Sequence, residues 1–325
     1  AHIPENTVVE PLGFAMRMVA LAACLAVSVI LPSPSFGDDD TPRERRLVIG
    51  KVSENPRKHF WYLKPIADYA AGHLADLGIE EAGVLMAKDN ATMVRYLKNG
   101  EVDWVTETPF SALVFAEEAD AQIILSRHKK GMATYRPLFF SRRDSGIEEL
   151  TDLEGRRIAL EDPGSTSAYL LPLLILLEHG LRPALLPSPR DAPPEGAVGY
   201  CFAGQEINIS TWVYEKRVAA GAFNEHDWRK NDHTPPAYRK QMHILHRGAP
   251  HVRALELVRP GLAPALRERL VDVLLKAHED PRARRALKAY QETTRFDAVD
   301  EETRTNLGRL KQRMRETLGK SEEGE

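Results

Sequence analysis

Short apolar runs and amphipathic stretches of helical period alternate along this chain. Leu47-Val48-Ile49-Gly50 reads as a first strand, 60–77 as a helix with Pro65 near its first turn, and Val84-Leu85-Met86 as a second strand. Asn90-Ala91-Thr92 opens a helix that Asn99-Gly100 stops. Strands follow at 102–105 and 122–125, separated by a helix that starts at Pro109, and a further strand spans 135–140. The pattern then restarts: strand 157–160, helix 166–179, a Pro-rich loop over 183–194, strand 197–202, helix 206–217 and strand 218–223. Two strands near 244–257 and helices at 267–276 and 282–290 complete the folded part, and 312–325 reads as a disordered tail. Strands alternating with helices predict an α/β fold with doubly wound, mainly parallel sheets. The repetition predicts two lobes, one from 46–140 plus 245–300 and the other from 141–244, with a hinge and a ligand cleft between them.

The N-terminus departs from this pattern. Met16-Arg17-Met18 precedes an apolar run of about 13 residues, 19–31, then Pro32, Pro34, Ser35-Phe36-Gly37 and three aspartates. That length suits a signal-peptide core better than a membrane span, with Ser35 and Gly37 as the small residues before a cut. Residues 1–37 are therefore expected to be upstream sequence and a cleavable signal, and the protein to be periplasmic. Leu21-Ala22-Ala23-Cys24 also has the form of a lipidation site, but most of the apolar run lies after Cys24. With 43% hydrophobic and 28% charged residues, 325 residues can form two domains. A net charge of −3 has no footprint for nucleic acid. The chain has two cysteines, and if Cys24 leaves with the signal, Cys201 has no partner for a disulfide. No tight His/Cys spacing points to a metal, and no cofactor is expected.

The chemistry concentrates at 162–172, Asp-Pro-Gly-Ser-Thr-Ser-Ala-Tyr-Leu-Leu-Pro. Ser165, Thr166 and Ser167 stand at the start of a helix, where free N–H groups and the dipole favour an anion and hydroxyls add donors without bulk. Serine and threonine are also ordinary N-caps. Three other segments, 53–62, 106–111 and 204–208, fall at the same kind of strand-to-helix end and are rich in hydroxyl, amide and aromatic groups. Their convergence argues for a site. No Gly-x-Ser-x-Gly elbow, His-Glu-x-x-His or P-loop suggests an enzyme.

In these stretches the chain resembles the phosphate/phosphite/phosphonate-binding proteins of bacterial ABC transporters. Asp152-Leu153-Glu154-Gly155 leading into Ser165-Thr166-Ser167-Ala168-Tyr169 is similar to the family's phosphonate cradle. Tyr135-Arg136 with 139–147, Trp212-Val213 through Ala222, Val258-Arg259-Pro260-Gly261 with 270–281, and Asn55-Pro56-Arg57 with Lys64-Pro65-Ile66 resemble other family segments. The resemblance covers 46–299. It implies a type II periplasmic binding protein that closes on a small oxyanion and delivers it to an ABC permease in the inner membrane. A sensing module partnered with a membrane kinase is the alternative, and gene neighbours would separate the two. Where the family has His-Glu this chain has Gln205-Glu206, its Val-Asp-Ala-Gly-Ala is Val218-Ala219-Ala220-Gly221-Ala222, and Glu107 follows the third strand. The anionic head is thus expected at Ser165, Thr166 and Ser167, and a cationic or hydroxyl end at Glu107 or Glu206 and Gln205. Thr108 and Asn224 are further candidates. Tyr62 either meets the ligand or belongs to the core, Glu107 is a ligand contact or a loop residue, and Glu206 a ligand contact or a dipole partner.

Overall fold

The structure, a computed structural model, describes residues 45–53 and 55–318. The expected signal segment, Cys24 and the last seven residues lie outside it. In chain order, β1 (Arg46–Val52), α1 (Pro56–Gly72), β2 (Glu81–Ala87), α2 (Asn90–Lys98), β3 (Trp104–Glu107), α3 (Pro109–Glu118) and β4 (Gln122–Arg127) open the first lobe. The chain crosses at β5 (Thr134–Tyr135). The second lobe follows as β6 (Pro137–Arg142), β7 (Arg157–Leu160), α4 (Leu171–Glu178), β8 (Arg182–Leu185), β9 (Ala197–Phe202), α5 (Glu206–Tyr214), β10 (Ala220–Asn224), α6 (Glu225–Arg229), α7 (Pro236–Lys240) and β11 (Met242–Arg247). It returns through β12 (His251–Val252) to β13 (Leu255–Val258), α8 (Pro264–Lys276), α9 (Arg284–Ala289), β14 (Phe296–Ala298) and a last helix, α10 (Glu301–Leu318).

Each lobe is built on a six-stranded sheet, in the order β14-β4-β13-β3-β1-β2 and β11-β6-β10-β7-β9-β8. In the centre of both, β1-β2, β1-β3, β7-β9, β8-β9 and β7-β10 run parallel, and the strands that return from the other lobe pair antiparallel. β5 and β12 form a two-stranded antiparallel ribbon between the lobes, with His251 opposite Tyr135. The helices follow their apolar stripes: Leu63, Ile66, Ala67 and Ala70 of α1 pack with Leu270 and Leu274 of α8 on one face of the first sheet. Gly221 lets α5 approach β10 closely, since a Cβ there would stand 2.4 Å from Ile209. Pro65 lies mid-helix in α1, not in its first turn. Its missing N–H leaves the carbonyl of residue 61 without a helical donor, which is tolerable because Trp61 is exposed to water.

Three boundaries differ from expectation. Residues 137–140 and 245–247 belong to β6 and β11 of the second sheet, because the antiparallel pairing of β6 with β10 and β11 outweighs the continuity of the 135–140 run. Residues 182–185, read as the start of a loop, pair with β9 as a parallel edge strand. Residues 312–318 are helical, because Leu307, Leu310 and Met314 give α10 a buried stripe. That stripe packs with α3 and α4, so one helix touches both lobes, and the described residues form one compact unit.

Candidate ligand-binding cleft

The Ser-Thr-Ser run begins a continuous helical segment, a wide turn over 166–170 that runs into α4. Ser165 is its N-cap, and its Oγ accepts from the Ala168 amide at 3.2 Å. The capping role and the cradle role therefore coexist on neighbouring residues. Thr166 and Ser167 are both buried, and Thr166 meets the first lobe. Thr166 Oγ1 donates to Thr108 Oγ1 at 2.9 Å and accepts from the Phe110 amide at 2.8 Å. Thr108 stands at the N-cap of α3 without a side-chain cap bond of its own. The second lobe thus caps the first lobe's helix, and Phe110 meets Tyr169 beside it with ring centroids 6.3 Å apart.

The hinge supplies a charge that pattern reading missed. Arg253 follows β12 and is 5% exposed, and its Nε and Nη1 have no hydrogen-bond partner among the described residues. Its guanidinium lies 5.4 Å from the centre of the Tyr135 ring. The Tyr135 hydroxyl is buried against Thr166 and Ser167 without a well-formed hydrogen bond. Burial pushes the Tyr135 hydroxyl above its usual range and the Arg253 guanidinium below its own. Donors left unpaired in the interior cost free energy until something accepts from them. The Arg253 guanidinium, the Tyr135 phenol and the Ser167 hydroxyl are thus near neighbours with the donor chemistry of an oxyanion site.

The second lobe contributes acid on the other side. Asn224 ends β10, and its Nδ2 donates to Ser167 Oγ at 3.3 Å and to Asp227 Oδ2 at 2.5 Å. Burial works against the charge of Asp227, but His233, Asn224 and Lys230 hold its carboxyl far below the usual range. Glu161 and Glu206 are pushed up, first by burial and then by Glu206 in the case of Glu161 and by Asp227 in the case of Glu206. His233 is raised by its hydrogen bond to Asp227, with burial opposing. Ligand atoms of Glu206, Asp227 and His233 lie within 4.8 Å of one another, a spacing that suits a metal ion or an ammonium group. Lys230 Nζ already stands 3.3 Å from Asp227, which lowers the charge left for a metal.

The cleft thus brings together Thr108, Thr166, Ser167, Glu206 and Asn224. Glu107 is spoken for: it is buried, its Oε1 accepts from Lys51 Nζ and the Val52 amide, each at 2.9 Å, and its Oε2 from the Thr108 amide at 3.3 Å. It ties β1 to β3 and is not an open acceptor. Gln205 is the exposed N-cap of α5. Tyr62 is half-buried at the first-lobe rim, edge-on to His59, which bonds Ser53. Arg253, Tyr135 and Asp227 were not singled out as site residues. An isolated arginine inside the apolar run Leu255–Val258 and the residues just before it was the available signal. Cys201 is a buried free thiol whose pKa burial raises to about 11.

Two α/β lobes on mixed sheets joined by a two-stranded ribbon have the fold of the type II periplasmic binding proteins. A family model described as "ABC transporter, phosphonate, periplasmic substrate-binding protein" matches residues 59–303, and the chain belongs to that family. XAC2383 from Xanthomonas citri, solved with chloride and with ATP, is 38% identical. Its alignment covers 84% of this chain and 98% of that one, at TM-scores of 0.81 and 0.80. The phosphate-import protein PhnD of Mycolicibacterium smegmatis is 26% identical over 192 residues, 58% of this chain and 59% of that protein's length. PhnD1 of Prochlorococcus marinus, solved with methylphosphonate, shares the fold at a TM-score of 0.63 and 15% identity, covering 83% and 98% of the two chains. Among the described residues, no helix is long and apolar enough to cross a membrane.

Proposed function

We propose that this protein is the periplasmic solute-binding component of an ABC importer for a phosphonate- or phosphate-like oxyanion. The observation that carries the reading is Arg253: a buried guanidinium with unpartnered donors beside the ring of Tyr135, whose hydroxyl adjoins Thr166 and Ser167. An anionic head accepts from these donors and from the amides at the open end of the helical segment, and the two lobes close over it. Glu206 and Asp227, bridged to the cradle through Asn224, receive a cationic end where the ligand has one. The closed cleft is then presented to a membrane permease. The matched relatives support phosphorus oxyanions as the class, since their names give phosphate, methylphosphonate and ATP.

A thermal-shift screen tests this. The panel is phosphate, phosphite, methylphosphonate, 2-aminoethylphosphonate, sulfate and small carboxylates. A ligand that binds only the folded state raises the melting temperature once its concentration passes Kd. Shifts confined to phosphorus compounds, lost in Arg253→Gln, are the expected result. Shifts with carboxylates alone, or none at all, would sink the proposal.

A further inference from the structure

α1 starts at the first-lobe rim, where His59 bonds Ser53 at 2.5 Å, and the face it turns to water carries large aromatic groups. Trp61 and Phe60 are 67% and 36% exposed, although both residue types are mostly sheltered in folded proteins. Their rings meet edge to face with centroids 5.5 Å apart, so they form one apolar ridge. Helical spacing sets Arg57 one turn before this ridge and Lys64 one turn after it, with Lys58 one turn before Trp61. Arg57 and Lys58 are exposed and have no ion pair among the described residues, while Lys64 pairs with Asp68. The first turn of α1 holds no acidic residue.

These residues do not serve the helix that carries them. Cations in a first turn oppose the helix dipole, where acids would stabilise it. An exposed indole and phenyl ring leave apolar area in water that burial would remove. The positive charge is local, since the whole chain carries −3. An aromatic ridge flanked by cations complements a surface that is negative on top and apolar just beneath. We propose that the start of α1 is a docking surface for an anionic lipid bilayer. Trp61 and Phe60 enter the headgroup region, and Arg57, Lys58 and Lys64 meet lipid phosphates. A protein partner is recognised through an anchor that fills a shaped pocket, whereas two rings side by side with charge before and after them along the helix suit a flat interface. Docking there holds the rim of the cleft at the membrane, and it does not depend on which solute the cleft takes.

Vesicle flotation with tryptophan emission tests this on the purified protein, using vesicles of phosphatidylglycerol with phosphatidylcholine and vesicles of phosphatidylcholine alone. Tighter binding to the anionic vesicles, weakening as salt is added, is expected. Trp104 and Trp228 are buried and Trp212 is half-buried, so a blue shift of the emission on binding reports Trp61. Trp61→Ala is expected to weaken partitioning at least about fivefold, the scale of burying part of a large aromatic side chain. Arg57→Gln and Lys58→Gln are each expected to weaken it about fivefold, the scale of one cation at an anionic surface. The apolar run 19–31 is common to the protein and its variants, so differences between them report the patch. No preference for the anionic vesicles, no blue shift, or undiminished partitioning of Trp61→Ala overturns the proposal. Binding to native inner-membrane vesicles but not to vesicles of their extracted lipids means a protein partner and overturns it too. The emission shift is read in the unaltered protein and needs no variant to fold.

Discussion

Thr166 serves two lobes with one hydroxyl, and that makes it the most informative single residue to change. It caps the start of α3 from outside, accepting from the Phe110 amide, and stands in the cradle. Thr166→Ala should weaken phosphonate binding by about 1–3 kcal/mol, as lost hydrogen bonds to a charged ligand do. It should also cost about 1 kcal/mol of folding stability through the lost cap. Thr166→Ser should recover most of both, and calorimetry together with urea melts would show it. His59 makes a pH prediction. Burial, then Lys51, Lys129 and Lys58, lower its pKa to about 4. A folded value below the free value of 6.5 means its contribution is complete above pH 6.5 and disappears as pH falls toward 4. Glu161 and Glu206, pushed up by burial, act in the opposite sense, so the useful comparison is between variants. His59→Gln should melt less steeply with acidification between pH 6.5 and 4, and identical slopes would refute the assignment. The three hydroxyls of the cradle were readable because they are consecutive. Arg253 was not, because its meaning comes from a ribbon that pairs residues more than a hundred positions apart.

At the scale of elements, the first sheet is fastened by a buried ion pair. Arg127 on β4 and Glu256 on β13 are 2% and 0% exposed and 2.9 Å apart. Trp104 Nε1, Thr106 Oγ1 and the Tyr290 hydroxyl also donate to the same carboxylate. Removing one partner leaves the other charge stranded, at a typical cost of about 3–5 kcal/mol. Glu256→Ala should therefore lower the urea midpoint sharply, whereas Arg127→Met with Glu256→Met together should lower it less. If the double variant proves as unstable as the single, the pair contributes more than mutual neutralisation. The periodicity of the chain conveyed most of these elements, including both lobes' parallel centres. It failed where strands are short or where pairing partners are distant: β8 is four residues beside prolines, and β6 reads as one run with β5 until the second sheet claims it.

At the scale of the molecule, α10 ties the two lobes together through α3 and α4. Its Leu307, Leu310 and Met314 are buried against α3 and α4. Arg313 donates to the Leu174 carbonyl at 3.1 Å, and Arg315 pairs with Glu117 of α3 at 2.5 Å. The exposed ion pair should matter little, so Arg315→Ala should change stability by under about 1 kcal/mol. Leu310→Ala should cost about 2–5 kcal/mol, which a thermal or urea melt would register. The helix escaped the sequence reading because its charged residues outnumber a stripe of only a few apolar positions. The bond between Thr166 and the start of α3 has a different reach. A neutral hydrogen bond across the seam, worth about 1 kcal/mol, is weak enough for thermal motion to undo. An ion pair at the same place would bolt the lobes into one arrangement, whereas an uncharged threonine leaves the hinge free to exchange between arrangements of similar free energy.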